Sequence, residues 1–256
     1  MTSPPATRTD GAGTATASPV LEADRVVFRL ADPERRHAAV AVHQELTRPH
    51  DGLAAAWSGG VWTASLPRPD HRHDGPLRME YAFVVEHDDG GREFLIDPVN
   101  PLRAEGAFGA KSVIEFPGYQ RPAWVDAPIP PGGTGSLSWV DLPLPRFDAA
   151  LPCGLWQPPD VDAAQPLPLL IAHDGPEYDE LAGLPRLLSW AVATGRIPPL
   201  RVALLGPVPG RRDPTYSAAA RYADGLAFTA LGWLARTAPQ PPDTRPVLMG
   251  ASLGAL

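Results

Sequence analysis

A chain of 256 residues, 44% of them hydrophobic, has enough apolar material for one large domain or two small ones. Its 22 basic residues are outnumbered by 29 acidic ones, for a formal net charge of −7, which argues against a nucleic-acid partner because phosphate binding wants a basic stripe. A single cysteine, Cys153, excludes an internal disulfide framework and fits a reducing compartment.

The first 20 residues are small, polar and Pro-containing, and are expected to form a disordered tail. They lack a basic stretch followed by a long apolar one, so no secretory signal is read. No run of about 18 apolar residues occurs, so nothing is expected to span a membrane, and the default compartment is the cytoplasm. From Arg25 the pattern changes. Val26–Leu30, Ala38–Val42, Val61–Leu66 and Tyr81–Glu86 are short apolar or alternating runs. Asp88-Asp89-Gly90-Gly91 supplies a turn before Glu93–Ile96. Strands at this spacing, with no helical period between them, predict a small β-sandwich over residues 21–118. Residues 119–135 are rich in Pro and Gly and read as the linker.

Residues 136–256 have another rhythm. Leu137–Leu142 and Leu151–Trp156 read as strands, and Leu167–Ala172 is a continuous apolar run suited to a strand buried on both faces. Leu181, Leu184, Leu188 and Ala191 predict a helix closed by Gly195. Leu200–Leu205 is a second buried strand. Ser217 is the expected N-cap of a second helix carrying Ala223, Leu226, Ala230, Trp233 and Leu234 on one stripe, and Pro246–Met249 is a third strand. The order β-α-β-α-β predicts a parallel sheet with right-handed crossovers.

The third strand runs into Gly250-Ala251-Ser252-Leu253-Gly254, a G-x-S-x-G nucleophile elbow. The chemistry dictates the residue types. A serine in a tight strand-to-helix turn projects its hydroxyl above the sheet edge, and glycines two before and two after avoid collision. The N–H of Leu253 then points at a developing oxyanion, with a helix N-terminus behind it. By chance the pattern arises in roughly one chain in ten of this length, so alone it is weak, and an ordinary turn serine is the plain reading. Its place after a buried strand, ending a βαβαβ unit, is what favours the catalytic one.

His173-Asp174-Gly175-Pro176 ends the first buried strand, where parallel sheets bind ligands. His173 is read as structural, because the triad order of this fold puts the base after the serine. The loop itself is a candidate contributor to an oxyanion hole. Gly206–Tyr216 leaves the second strand on the same rim. Its Arg211 and Arg212 could grip a substrate oxygen, or could simply be a solvated pair. Cys153 reads as an inert packed thiol. His71-Arg72-His73-Asp74 has H-x-H spacing without the further ligands a metal needs, so no metal is expected. Trp139, Trp156 and Trp190 read as core. No Walker loop, G-x-G-x-x-G or C-x-x-C occurs, so no cofactor is expected.

With these residues in view, PLPLLIAHDGPEYDELAGLPRLL, GRIPPLRVALLG and RPVLMGASLGAL, preceded by a β-sandwich and a Pro-rich link, resemble the enterochelin-esterase-like branch of the α/β-hydrolases. The resemblance covers Arg25 to the end. It implies an α/β fold, an E-set (immunoglobulin-like) sandwich followed by a truncated α/β-hydrolase sheet. It also implies a serine esterase acting on a small-molecule ester, siderophore trilactones included. By resemblance Ser252 is the nucleophile, and Leu253 N–H is one oxyanion donor. The Asp-Gly loop supplies the other through Gly175 or Glu177, since Pro176, where relatives place a donor, has no N–H. Asp174, Tyr178, Arg211 and Arg212 are the candidate substrate contacts. The triad acid and histidine are expected downstream of Leu256, so the chain as it stands is expected to be a poor catalyst. An acyltransferase of the same fold and a non-catalytic siderophore- or glycan-binding protein are the rival readings.

Overall fold

The computed structural model describes residues 17–50, 52–69, 77–145, 149–217 and 219–255. The His71–Asp74 motif and most of the N-terminal tail lie outside them. The chain divides into two compact units between Gln120 and Arg121.

In the first unit, β1 (Val20–Leu21), β2 (Arg25–Ala31), β3 (Ala39–Gln44), β4 (Leu53–Ala54), β5 (Ala56–Ser58) and β6 (Val61–Pro67) are followed by β7 (Arg78–Glu86), β8 (Arg92–Leu95), β9 (Arg103–Ala104) and β10 (Lys111–Glu115). They form two antiparallel sheets, one in the order β1-β2-β6-β5, the other β4-β3-β7-β10-β9 with β8 also on β7. Alternation works as expected of half-buried strands. Phe28 and Leu30 from β2, Trp62 and Leu66 from β6, Val40 and Val42 from β3, and Tyr81, Phe83 and Val85 from β7 share one core. The short strands β1, β4, β5 and β9 carry too few residues for a pattern to reveal. Residues 17–20 are not a free tail: Ser18 Oγ accepts the Arg29 N–H at 3.0 Å, and Val20 pairs with Val27.

Two buried carboxylates hold the loops of this unit. Asp97 accepts the Tyr81 hydroxyl at 2.6 Å and the Val99 N–H at 3.0 Å, and Asn100 donates to Tyr81 Oη and Val113 O. Asp32 accepts from the Trp62 indole at 3.0 Å and from the N–H groups of Arg36 and His37. Burial works against its ionisation, but those donors outweigh it and hold Asp32 below its ordinary value of 3.8.

In the second unit a helical turn, α1 (Ala123–Asp126), precedes β11 (Ser136–Leu144), β12 (Ala149–Gln157), β13 (Leu169–His173), α2 (Gly175–Glu180), α3 (Leu184–Ala193), β14 (Arg201–Leu205), α4 (Arg212–Tyr216), α5 (Ala220–Gly225), a wider π-helical turn (Leu226–Ala230), α6 (Leu231–Thr237), β15 (Val247–Met249) and a 3₁₀ turn (Ser252–Ala255). The sheet order is β11-β12-β14-β13-β15, with β13 parallel to both β14 and β15. The stretch read as linker is anchored to this unit. Arg186 donates to Val125 O and Ala127 O, and Gly135 N–H to Ser189 Oγ.

Three sequence expectations need correcting. Leu181 does not begin the first long helix. It ends α2 and is 42% exposed, and the chain restarts at Leu184. Ser217 is not an N-cap but closes α4, a helix that periodicity could not show in five residues. Trp139 is not core. It lies 41% exposed on edge strand β11, over Gly154. Cys153 is buried, and burial pushes its thiol up to about 12, as suits an inert packing residue. No helix among the described residues is long and apolar enough to cross a membrane.

Tyr81→Phe removes the hydroxyl that satisfies Asp97 and Asn100, and should cost about 1–3 kcal/mol in urea unfolding. A carboxylate depressed in the folded state stabilises above its unfolded pKa and loses that contribution as pH falls through the folded one. Unfolding free energy should therefore drop as pH falls below about 4, and Asp32→Asn should flatten part of that slope when unfolding is measured from pH 7 to pH 3.

Candidate active site

Parallel pairing brings three strand ends to one edge, with His173 opposite Leu205 and Ala172 opposite Met249. The loops leaving that edge carry the residues singled out by sequence. After β13 the chain turns through Asp174 at φ 56, and after β15 through Ser252 at φ 54. Left-handed backbone is unfavourable for residues with a Cβ and persists where the surroundings enforce it. Ser252 is exposed, whereas Gly254 two residues later is buried.

The elbow glycines are sterically required. A Cβ on Gly250 would run into the Gly254 carbonyl, and one on Gly254 would sit 2.9 Å from Asp174 Oδ2 and 3.3 Å from His173 Cβ. The elbow therefore rests directly on the end of β13. Gly254 N–H closes the turn on Ala251 O at 2.9 Å. Leu253 sits in the first turn, where N–H groups lack intrahelical acceptors, and its half-buried side chain packs on the core under α5 and α6.

The Asp-Gly loop is fastened from three sides. Both Asp174 carboxylate oxygens accept from Arg212, at 2.7 Å from Nε and 2.8 Å from Nη2. The Asp174 N–H donates to Tyr216 Oη at 3.1 Å, and Arg212 lies over the Tyr216 ring, 5.6 Å from its centroid. Gly175 fits against the Leu204 backbone so closely that a Cβ would overlap it. Gly175 opens α2 and Pro176 follows it, so the first-turn donors there are Gly175 and Glu177. Asp174 and Arg212 thus spend their charge on each other, and Arg212 keeps Nη1. Arg211 is exposed, while Tyr178 is half-buried against α3 and β14.

A cleft of about 640 Å³ opens on this rim, lined by Pro152, Pro176, Glu177, Pro207, Arg212 and Asp213 among others. Ser252 does not line it; the two are linked through Asp174, which touches the elbow on one side and Arg212 on the other. A second cavity of about 200 Å³ lies under the elbow between His173, Tyr216, Tyr222, Leu253 and Gly254.

The match to solved structures follows this architecture. The enterobactin esterase of Shigella flexneri, solved in the presence of enterobactin, matches 92% of this chain with a TM-score of 0.66 and 19% identity. The ferric enterobactin esterase of Salmonella typhimurium matches 90% with a TM-score of 0.69 and 18% identity. The enterochelin esterase of Shigella flexneri matches 90% with a TM-score of 0.65 and 20% identity.

This chain shares the fold of the enterochelin esterases.

It spans 64–66% of the length of those structures. No protein-family model matches the sequence, and no curated protein matches it either. At this level of identity the enterochelin-esterase likeness is one of fold.

Of the residues expected at the site, Ser252, Leu253, Asp174, Gly175, Glu177 and Arg212 leave one sheet edge. Sequence reasoning missed Tyr216 and Tyr222, which with His173 form a buried ring cluster beneath the elbow. They lie six residues apart on two successive short helices, α4 and α5, a spacing that no periodicity rule isolates. Arg212→Met would strand the Asp174 carboxylate. A loss of about 1–3 kcal/mol is expected from the shift in urea midpoint, with most of it recovered in the Asp174→Asn/Arg212→Met double variant.

Proposed function

We propose that this chain carries the nucleophile of a serine carboxylic-ester hydrolase of the enterochelin-esterase type. The observation that supports this most directly is Ser252, exposed and at φ 54 just past a parallel strand, with helical N–H groups behind it. Residues 21–118 are taken as an E-set-like sandwich and residues 136–256 as the front part of the α/β-hydrolase domain, joined by residues 119–135.

In this reading Ser252 Oγ attacks the acyl carbonyl carbon while its proton passes to a histidine. The carbonyl oxygen becomes an anion held by Leu253 N–H and by an N–H of Gly175 or Glu177. The C–O bond to the alcohol then breaks as the histidine returns the proton. Water next attacks the acyl-enzyme, releasing the carboxylic acid and the free serine. His173 is unsuited to be that base, since both its ring nitrogens are engaged away from Ser252, by Gly254 O and Tyr222 Oη. The reading therefore requires a base and an acid partner other than His173. The exposure of apolar Val247 (63%) and Leu248 (55%) on edge strand β15 supports further strand pairing there in the full-length protein.

Arg211, Tyr178 and the free Nη1 of Arg212 are the proposed substrate contacts, with Asp174 acting through Arg212. Neighbouring structures were solved with enterobactin and with 2,3-dihydroxy-N-benzoyl-serine, so a catecholate siderophore ester is the first substrate to try. A fluorophosphonate probe should label full-length protein at Ser252, located by peptide mass spectrometry. Ser252→Ala should lower labelling and ester turnover by about 1000-fold or more. Full-length protein that takes no label, or equal labelling of the alanine variant, would remove the hydrolase reading.

A further inference from the structure

His173 is the only histidine between residues 121 and 256. It is 5% exposed, and both ring nitrogens are occupied. Nδ1 lies 2.6 Å from Gly254 O and Nε2 lies 2.9 Å from Tyr222 Oη. A carbonyl oxygen can only accept, so Nδ1 carries the hydrogen. Burial raises the Tyr222 phenol well above its ordinary value, so it keeps its proton while its hydroxyl pairs with Nε2. The ring is thereby fixed at both nitrogens, with Nδ1–H donating to Gly254 O. It is stacked on Tyr216 with centroids 5.0 Å apart and planes at 28°.

The position of this bond matters because of what surrounds the turn. Ser252 is held in left-handed backbone, which must be enforced from outside. Packing does not fill that role fully, because the cavity of about 200 Å³ beneath the turn is bounded by Leu253 and Gly254 themselves. Among the described residues, the polar ties at the turn include the Gly254 N–H to Ala251 O bond inside it and the His173 bond to Gly254 O from β13. The second fastens the elbow to the sheet. Through Tyr216, which accepts the Asp174 N–H and donates to Leu205 O at 3.3 Å, the same cluster also holds the Asp-Gly loop.

We propose that His173 is a positioning residue for the nucleophile: oriented by Tyr222, its Nδ1–H holds the Gly254 carbonyl and so keeps Ser252 and the Leu253 N–H in attacking geometry. This rests on the reading of Ser252 as nucleophile. Without the bond, the turn relaxes into the cavity and swings the Ser252 hydroxyl away from the oxyanion donors. Near-attack geometry is lost while the substrate contacts on the rim remain.

The test uses full-length protein and three variants, His173→Leu, His173→Asn and Tyr222→Phe. It compares second-order fluorophosphonate labelling rates per folded molecule, kcat and KM on a p-nitrophenyl ester, and thermal midpoints. His173→Leu should lower the labelling rate and kcat about 10- to 100-fold with KM little changed. His173→Asn, whose amide N–H can occupy the place of Nδ1–H, should restore most of the rate whatever its thermal midpoint. Tyr222→Phe should fall between them. A His173→Leu protein that labels at the wild-type rate overturns the proposal, even if it melts earlier. Should that variant fail to fold, a wild-type labelling rate in folded Tyr222→Phe together with no activity in folded His173→Asn overturns it equally. Wild-type protein unlabelled at Ser252 overturns the nucleophile reading and this inference with it, whereas labelled wild type with an unaltered His173→Leu rate overturns this inference alone.

Discussion

The parallel pairing of β13 with β14 on one side and β15 on the other is the constraint from which the rest of the second unit follows. Parallel strands must all end at the same edge, so every loop leaving them competes for one small area. Two of these loops turn in the same way, each through one non-glycine residue in left-handed backbone. Those residues are Asp174 and Ser252. The elbow glycines then follow as a packing requirement, since Gly254 lies against Asp174 and His173 with no room for a side chain.

Polar groups at that edge are buried yet almost all matched. Asp174 faces Arg212, His173 faces Gly254 O and Tyr222, and Thr215 bridges the Arg211 carbonyl and the Val208 N–H. Matching of this kind makes a rigid floor, because breaking any one bond leaves a desolvated partner. On that floor Ser252 is left exposed. The opposite edge of the sheet is fastened separately. Buried Arg201 at the start of β14 donates to the carbonyls of Asp162, Ala163, Gln165 and Pro239, tying two connecting loops together.

Much of this could be read from the residues alone. Continuous apolar runs announced β13 and β14, because strands covered on both faces need no polar alternation. Alternating runs announced the longer strands of the first unit. The Gly-x-Ser-x-Gly spacing announced the elbow, because the steric demand of that turn acts within five residues. Leu181 and Ser217 misled for the opposite reason. Each sits on a correct-looking helical period or cap, but short helices at the crowded edge interrupt the period, and tertiary packing rather than propensity decides where such helices break. Trp139 misled because a large apolar ring is as well satisfied lying over a glycine on an edge strand as inside a core.

By itself, then, the sequence determined the local devices: which runs become buried strands, where glycine is compulsory, and that a serine stands on a sharp turn. Those depend on interactions between residues close along the chain. Only the tertiary structure decided what each polar side chain faces. Asp174 meets Arg212 across 38 residues and His173 meets Gly254 across 81, and no spacing rule encodes a partner at that separation. Charge and hydrogen-bonding capacity are written in residue types, but whom they satisfy is settled by the sheet that brings distant loops to one edge.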